Sequence, residues 1–407
     1  MIIPSFIKII LIYFILTLLT KGSKRRKKAL PTILDEERSR TISVKKIKLN
    51  TEQCISVTII CILVIILASF PPPNLWSVCS LLKDGYISIL NTMYPISNID
   101  IVYTWVNGQD PNWIREKNHW LNYENNSTIL SSIDNSRFIE HEELKYSFRS
   151  LFMNAPWIHH IFLVTNGQIP VWLNISHPKI TMIRHEDIMP AAALPTFNSE
   201  AIESCLPFIE NLSEYFLYAN DDCFFYRPIR PQFFFTRNGK CKIRVGLPYI
   251  TTKHLKRSNY FVTLNRTSEL FKSKFGIKYN FEPSHNIMPY RKSFFLGCIH
   301  EFPDSFRQTA FTKFRNEESI QRSIVTFYEI YKNQAIVTPS LTKTSTDALF
   351  IRLQPTQRMR YRLRKIRPQI ICINDHEYAD DSVRLQLKPF LNSLFPIASP
   401  LEFQNNG

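Results

Sequence analysis

The chain has 407 residues, of which 44% are hydrophobic and 13% aromatic, so a substantial hydrophobic core is available. At roughly 150 residues for each domain, this length accommodates one large α/β domain or two smaller ones. The formal net charge is +16, but no zinc-finger spacing, RNP-like aromatic pattern or basic heptad helix indicates a protein that binds nucleic acid.

The amino-terminal region predicts attachment to a membrane. Residues 1–54 form a basic tail with 12 Lys and Arg against 4 Asp and Glu, and they contain a possible first apolar span at residues 2–20. Residues 55–70 are an uncharged apolar run, slightly shorter than the usual span of about 20 residues. The basic cluster at residues 21–48 favours the cytosolic side. We therefore expect one or two spans, a stem at residues 71–97, and a catalytic domain in the lumen of the Golgi or a related secretory compartment.

Sequons and cysteines are compatible with that compartment. Sequons for N-glycosylation occur at Asn125, Asn126, Asn174, Asn211 and Asn265. Six of the eight cysteines lie beyond the apolar run, and the 15 pairings they allow stay open. No CxxC spacing or local Cys/His cluster indicates a zinc site.

The body of the chain alternates strand and helix patterns. The predicted strands are residues 100–106, 158–165, 180–184 and 215–220. The predicted helices are residues 137–152 and 199–209, the second capped by Asn198 or Ser199. This alternation predicts a parallel or mixed sheet with helices on its faces.

Two adjacent carboxylates, Asp221 and Asp222, follow the fourth predicted strand. Ligands bind at the carboxyl ends of strands in open α/β sheets, and neighbouring carboxylates favour a divalent metal that carries phosphates. The alternative is a solvated turn in which Asn220 and Asp221 cap local backbone groups.

Four groups of residues, in this order along the chain, resemble the conserved regions of the Stealth family of sugar-phosphate transferases. The first is Asp100–Gly108, and the second lies within residues 137–222 and includes Leu194–Ser199. The third is His285–Pro289 followed by Phe314 and Arg315, and the fourth begins at Asn374 and Asp375. Together they span about residues 98–402, which we take as the catalytic domain.

The resemblance implies an α/β, Rossmann-like nucleotide-sugar transferase core (GT-A-like) behind the amino-terminal membrane anchor. It implies transfer of a sugar 1-phosphate from a UDP-sugar, best supported as UDP-N-acetylglucosamine, to a hydroxyl of a glycan or glycoprotein. A phosphodiester and UMP would result, with Mg²⁺ or Mn²⁺ as cofactor. Two alternatives stay open: an ordinary glycosyltransferase that releases UDP, and a non-catalytic glycan-binding relative.

The resemblance also assigns residues to roles. The catalytic residues it implies are His285, Arg315, Glu203 and Asp222, and the metal ligands are Asp221 and Asp222. The donor-binding residues it implies are Asp100, Asn107, Gly108, Asn198 and Ser199. On the residues alone, His285 could be an exposed loop histidine, Arg315 a surface cation and Glu203 an exposed helix carboxylate.

The chain departs from the animal Stealth enzyme between residues 222 and 285, where only a short connection stands in place of large additional modules. Those modules select protein substrates, so a simpler acceptor is expected. The sequence leaves the oligomeric state open.

Overall fold

The computed structural model describes residue 96 and residues 98–123, 141–246, 259–340, 348–375 and 379–403. The predicted basic tail, both apolar runs and nearly all of the predicted stem lie outside these residues. Within the described part of the chain, no helix is both long and apolar enough to cross a membrane. All of the described residues belong to one compact unit that begins at Asn74.

The described strands form three sheets. The strands are β1 Ile99–Thr104, β2 Ile161–Thr165, β3 Ile180–Arg184, β4 Tyr215–Asn220, β5 Cys223–Phe225, β6 Cys241–Gly246, β7 Glu282–Pro283, β8 Met288–Arg291, β9 Ala335–Ser340, β10 Ala348–Arg352 and β11 Ile370–Asn374. The helices are α1 Pro111–Tyr123, α2 Glu143–Asn154, α3 His185–Ile188, α4 Ser199–Ser204, α5 Asn259–Phe275, α6 Lys292–Glu301, α7 Pro303–Ala310, α8 Ser323–Tyr331, α9 Thr356–Ile366, α10 Asp381–Leu385 and α11 Leu387–Leu394. The resulting fold is mixed α/β.

The central sheet has the order β3-β2-β1-β4-β8. Its first four strands are parallel, and β8 runs antiparallel to β4. The middle strand β1 is rich in β-branched and aromatic residues, which suit a pleated surface, and its first five residues are buried. Because β1 to β4 are parallel, their carboxyl ends meet at one edge of the sheet, which we name the carboxyl edge.

The second sheet starts at the carboxyl edge. It has the order β10-β11-β5, with β5 antiparallel to β11, and β5 begins directly after the turn that follows β4. Helix α2 holds β5 in place through two serines: Ser147 donates a hydrogen bond to the carbonyl of Cys223, and Ser150 accepts one from the amide of Phe225. The third sheet has the order β7-β6-β9.

The observed elements confirm most of the predicted ones. The bounds of β3 and β4 are the predicted ones, residues 180–184 and 215–220. The bounds of β1 and β2 differ from the predicted ones by at most three residues. The first predicted helix begins later, at Glu143, after Glu142 adopts a left-handed conformation with φ 64°. The second predicted helix is shorter, because α4 ends at Ser204 and gives way to a 3-10 turn that contains Pro207, which has no amide hydrogen.

Candidate active site

The antiparallel strand β8 brings His285 to the same edge of the sheet as the two aspartates. Asp221 and Asp222 follow β4 directly. Tyr218 near the end of β4 lies opposite Met288 at the start of β8. Since the strands run in opposite directions, the residues before β8, His285 among them, lie at the carboxyl edge.

The end of β11 supplies polar contacts to Asp222. Cys372 lies opposite Cys223 in the ladder between β11 and β5. The Sγ atom of Cys372 is 3.2 Å from Oδ2 of Asp222, and Nδ2 of Asn374 is 3.4 Å from the same oxygen. The Sγ atom of Cys223 is 3.5 Å from Oδ1. These three donors are neutral, so they do not compensate the charge of the half-buried carboxylate.

His285 is half-buried, and a phenylalanine ring of β10 stands edge-on to its imidazole, with 5.5 Å between the ring centroids. Removal from water lowers the pKa of His285 below its ordinary 6.5. The carboxylates of Asp222 and Glu203 raise this pKa, whereas the guanidinium groups of Arg322 and Arg315 lower it. The net direction is downward, so the imidazole is neutral near neutral pH and can accept a proton.

Glu203 is buried and paired with Arg322, a residue that the sequence did not single out. The Nη1 atom of Arg322 lies 2.6 Å from Oε2 of Glu203, and the guanidinium lies 4.8 Å from the centroid of the Tyr218 ring. The hydroxyl of Tyr218 donates to Oε1 of Glu203 at 3.2 Å and also contacts Oγ1 of Thr104 at 2.9 Å. This network ties α4 and the start of α8 to the ends of β1 and β4.

Arg315 approaches the start of α4, where its Nη2 atom donates to Oγ of Ser199. Asn198 is fully buried; its side chain accepts from the amide of Glu200 at 3.0 Å and donates to Oγ1 of Thr312 at 2.6 Å. Asn198 therefore links α4 to the loop that carries Arg315. Ser199 and Arg315 are half-buried, whereas Asn198 is not accessible to a ligand.

The loops after β1 and β2 are joined at the same edge. Gln168 accepts from the amide of Asn107 at 2.8 Å and donates to its carbonyl at 3.1 Å. Gly167 lies just before it with φ 99°, a left-handed conformation that favours glycine, and its amide donates to Oγ1 of Thr165. Asn107 and Gly108 are both half-buried, and they lie in the loop that follows β1 at the carboxyl edge.

The structure does not bring Asp100, a predicted donor-binding residue, to this edge. Asp100 lies near the amino end of β1 and is 1% exposed. Its carboxylate contacts Nδ1 of His159 and accepts from the amide of Ser213, both at 2.8 Å. Thr104 at the carboxyl edge is four positions further along the strand, which corresponds to about 13 Å at 3.3 Å per residue. Asp100 therefore anchors the opposite end of the sheet.

The two predicted metal ligands lie in different surroundings. Oδ1 of Asp221 accepts from the amide of Asp222 at 3.1 Å. In the described part of the chain, the ligand atoms of Asp222, His285 and Cys372 lie within 4.8 Å of one another. Among the described residues, the hydrogen-bond partners of the Asp222 carboxylate are all neutral. Two carboxylates at the carboxyl edge suit a hard divalent cation such as Mg²⁺ or Mn²⁺.

The fold and the site define an α/β protein in which a histidine, two carboxylates and two arginines lie at the carboxyl edge of a parallel sheet. The family model "Stealth protein CR2, conserved region 2" matches residues 137–243, and "Stealth protein CR1, conserved region 1" matches residues 97–123. The chain belongs to the Stealth family, which confirms the resemblance seen in the sequence.

The chain is similar to several bacterial phosphotransferases. It is 35% identical over 312 residues to an exopolysaccharide phosphotransferase of Streptomyces coelicolor, covering 75% of this chain and 52% of the relative. It is 32% identical over 298 residues to a capsular polysaccharide phosphotransferase of Haemophilus influenzae, covering 71% of this chain and 80% of the relative. Identity to exopolysaccharide phosphotransferase CpsY of Mycobacterium tuberculosis is 33% over 324 residues, covering 75% and 58%. The chain thus spans little more than half the length of two of these relatives.

Among solved structures, the chain is similar to galactosyltransferase LgtC in complex with donor and acceptor sugar analogues. The similarity has a TM-score of 0.36 at 10% sequence identity and covers 74% of this chain and 97% of the other. We draw no residue correspondence from a similarity of this size.

Proposed function

We propose that the chain transfers a sugar 1-phosphate from a UDP-sugar to a hydroxyl of a glycan or glycoprotein, forming a phosphodiester and releasing UMP. N-acetylglucosamine 1-phosphate is our first choice for the transferred group. Family relatives are phosphotransferases of capsular polysaccharides and exopolysaccharides, which supports sugar-phosphate transfer in general. The observation that carries the proposal is the convergence of Asp222 and His285 at the carboxyl edge, where their ligand atoms lie within 4.8 Å of each other.

In the proposed reaction, the acceptor oxygen attacks the phosphorus that bears the sugar, and the bond from this phosphorus to the departing UMP oxygen breaks. His285 takes the proton from the acceptor hydroxyl as the new oxygen–phosphorus bond forms. The lowered pKa of His285 keeps the imidazole unprotonated near neutral pH, which this role requires. After transfer, the imidazolium returns its proton to solvent.

Two arginines supply positive charge for the phosphate groups. Arg315 lies beside Ser199 at the start of α4, and a guanidinium matches two phosphate oxygens through its planar fork. Arg322 adds a second guanidinium, whose charge lowers the pKa of His285, and Glu203 fixes its position through the 2.6 Å ion pair. Glu203 is therefore proposed to position Arg322 rather than to react itself.

Asp221 and Asp222 would hold the Mg²⁺ or Mn²⁺ ion, which when bound supplies charge to neutralise the donor diphosphate. Asn107, Gly108 and Ser199 are proposed to contact the donor, because they are half-buried at the carboxyl edge. Asn198 would support these residues by donating a hydrogen bond to Thr312 in the loop that carries Arg315 and by accepting one from the amide of Glu200.

We also propose that the catalytic domain lies in a secretory lumen behind a membrane anchor. The support comes from the sequence: the uncharged run at residues 55–70 and the basic cluster at residues 21–48. Protease protection of sealed microsomes that contain the full chain tests this arrangement. Protection of the carboxyl-terminal domain is expected, and its digestion in sealed microsomes would contradict the proposed orientation.

Phosphorus NMR of a reaction of the full chain with UDP-N-acetylglucosamine, Mg²⁺ or Mn²⁺ and a mannose-bearing acceptor tests the reaction type. UMP together with a new phosphodiester signal is the expected result. UDP without a phosphodiester would mean ordinary glycosyl transfer. The absence of either product across a panel of nucleotide sugars, for protein that is folded by circular dichroism, would favour a non-catalytic relative.

A further inference from the structure

Cys372 is a buried thiol that lies against the proposed active site but has no role in the proposed reaction. It is 0% exposed in the middle of β11, and its Sγ atom is 3.2 Å from Oδ2 of Asp222. No local cysteine or histidine spacing in the sequence indicates a metal site, because the residues that meet here come from distant parts of the chain. Cys372 and Asp222 are 150 positions apart.

Three potential metal ligands converge from three separate segments. Asp222 comes from the turn between β4 and β5, His285 from the segment before β8, and Cys372 from β11. Their ligand atoms all lie within 4.8 Å of one another. Zinc bonds of about 2.0–2.3 Å require neighbouring ligand atoms roughly 3.5 Å apart in a tetrahedron, so binding needs each pair of ligand atoms to approach by at most about 1.3 Å.

The chemistry of this set differs from that of a magnesium site. Mg²⁺ prefers oxygen ligands in an octahedron, whereas a thiolate, an imidazole and a carboxylate are characteristic zinc ligands. Three protein ligands leave a fourth tetrahedral position open for water or a phosphate oxygen. The thiol proton would pass to solvent as the sulfur binds the metal.

We propose that Asp222, His285 and Cys372 form a binding site for Zn²⁺, with Cys372 as the thiolate ligand. The site overlaps the residues assigned to the phosphotransfer reaction. Zinc bound there occupies the imidazole of His285 and the carboxylate of Asp222, so neither is available for its proposed role. The consequence, which rests on the proposed function, is that Zn²⁺ inhibits Mg²⁺-supported turnover by binding at the active site.

Cobalt is the probe for the site, because Co²⁺ occupies zinc sites and a thiolate ligand gives a thiolate-to-cobalt charge-transfer band. Co²⁺ is titrated into the full chain kept reduced with a phosphine. A saturable band at one equivalent, abolished by Zn²⁺, is expected. The absence of the band from the reduced, folded wild-type chain would overturn the proposal, whatever the variants show.

Serine variants identify the sulfur. Cys372→Ser, which retains a hydrogen-bond donor to Asp222, should lose the charge-transfer band and bind Zn²⁺ at least about tenfold more weakly. Cys205→Ser is the matched control, because Cys205 is also a buried free cysteine, located at the end of α4, and it should retain the band. Cys223→Ser should retain the band too. Loss of the band in Cys223→Ser with retention in Cys372→Ser would refute the assignment.

Inhibition is measured separately, as the Zn²⁺ concentration that halves Mg²⁺-supported turnover. This concentration should rise at least about tenfold in Cys372→Ser relative to Cys205→Ser. Equal zinc sensitivity of the two variants would refute inhibition at this site. The cobalt spectrum does not depend on turnover, so the zinc site can be refuted or supported even where the proposed reaction fails.

Discussion

Replacing Arg322 by Met should destabilise the fold, because it leaves the carboxylate of Glu203 buried without its cation. The two side chains are 17% and 6% exposed, and their closest nitrogen and oxygen atoms are 2.6 Å apart. Met keeps an apolar stem against the ring of Tyr218, over which the guanidinium lies. The substitution therefore removes mainly the charge and its hydrogen bond.

The burial of the pair sets the size of the effect. Removing one partner of a buried ion pair costs about 3–5 kcal/mol, whereas an exposed pair contributes about 0–1 kcal/mol. Since the side chain of Arg322 retains some contact with water, we expect the lower end, a loss of about 3 kcal/mol in the free energy of unfolding. Adding Glu203→Gln removes the buried carboxylate that Arg322→Met leaves without a cation. The double variant should therefore recover a large part of the lost free energy of unfolding.

Urea unfolding followed by tryptophan fluorescence measures the four members of this cycle. Arg184→Met is the matched control, because Arg184 and Glu186 form an ion pair with side chains 61% and 58% exposed. The control should change the free energy of unfolding by less than about 1 kcal/mol. If Arg322→Met is as mild as the control, or if the two substitutions are additive, the reasoning is refuted.

Three further predictions follow from the active site and the core. The midpoint of the acid limb of the kcat/KM profile should lie below pH 6.5, because burial lowers the pKa of His285. Arg322→Met removes a cation that lowers this pKa, so the midpoint should move to higher pH. A wild-type midpoint above pH 6.5 would exclude His285 as the base. Asp222→Asn should lower turnover at least about 100-fold while changing the free energy of unfolding by less than about 1 kcal/mol. Normal turnover of this variant at limiting metal would show that Asp222 is not a metal ligand. Burial raises the pKa of Glu329 from its ordinary 4.5 to about 8, so the folded chain keeps this proton where the unfolded chain has lost it. The free energy of unfolding should therefore fall as the pH rises from 4.5 to about 8, by up to about 1.4 kcal/mol per pH unit. Glu329→Gln should flatten this slope in urea titrations across that interval, and an unchanged slope would contradict the protonated state.

The sequence predicted the parallel core well because its signals there are local. β3 is rich in β-branched residues and β4 in aromatic residues, and both stand between polar segments, so their bounds could be read directly. The second predicted helix was too long, because the hydrophobic pattern continues through Leu206 and Phe208 although Pro207 prevents a regular helix. Local pattern therefore identified the elements better than it located their ends.

The site was predictable only in part, because several of its contacts join distant residues. Arg322 pairs with Glu203 across 119 positions, and nothing in the neighbouring sequence distinguishes it from other arginines near it. The approach of Cys372 to Asp222 depends on the antiparallel pairing of β11 with β5, which no local pattern indicates. Asp100 lies near the start of β1, whereas ligands bind where parallel strands end, and the predicted strand bounds already indicated this difference.

The central claim is that phosphorus moves with the sugar, and a donor labelled at the β phosphorus tests it most directly. The full chain is incubated with β-radiolabelled UDP-N-acetylglucosamine, a divalent metal and a glycan acceptor, and the nucleotide and glycan products are separated. The account predicts that the label appears in the glycan and that the released nucleotide is unlabelled UMP. Label retained in UDP, with unlabelled sugar on the glycan, would contradict it.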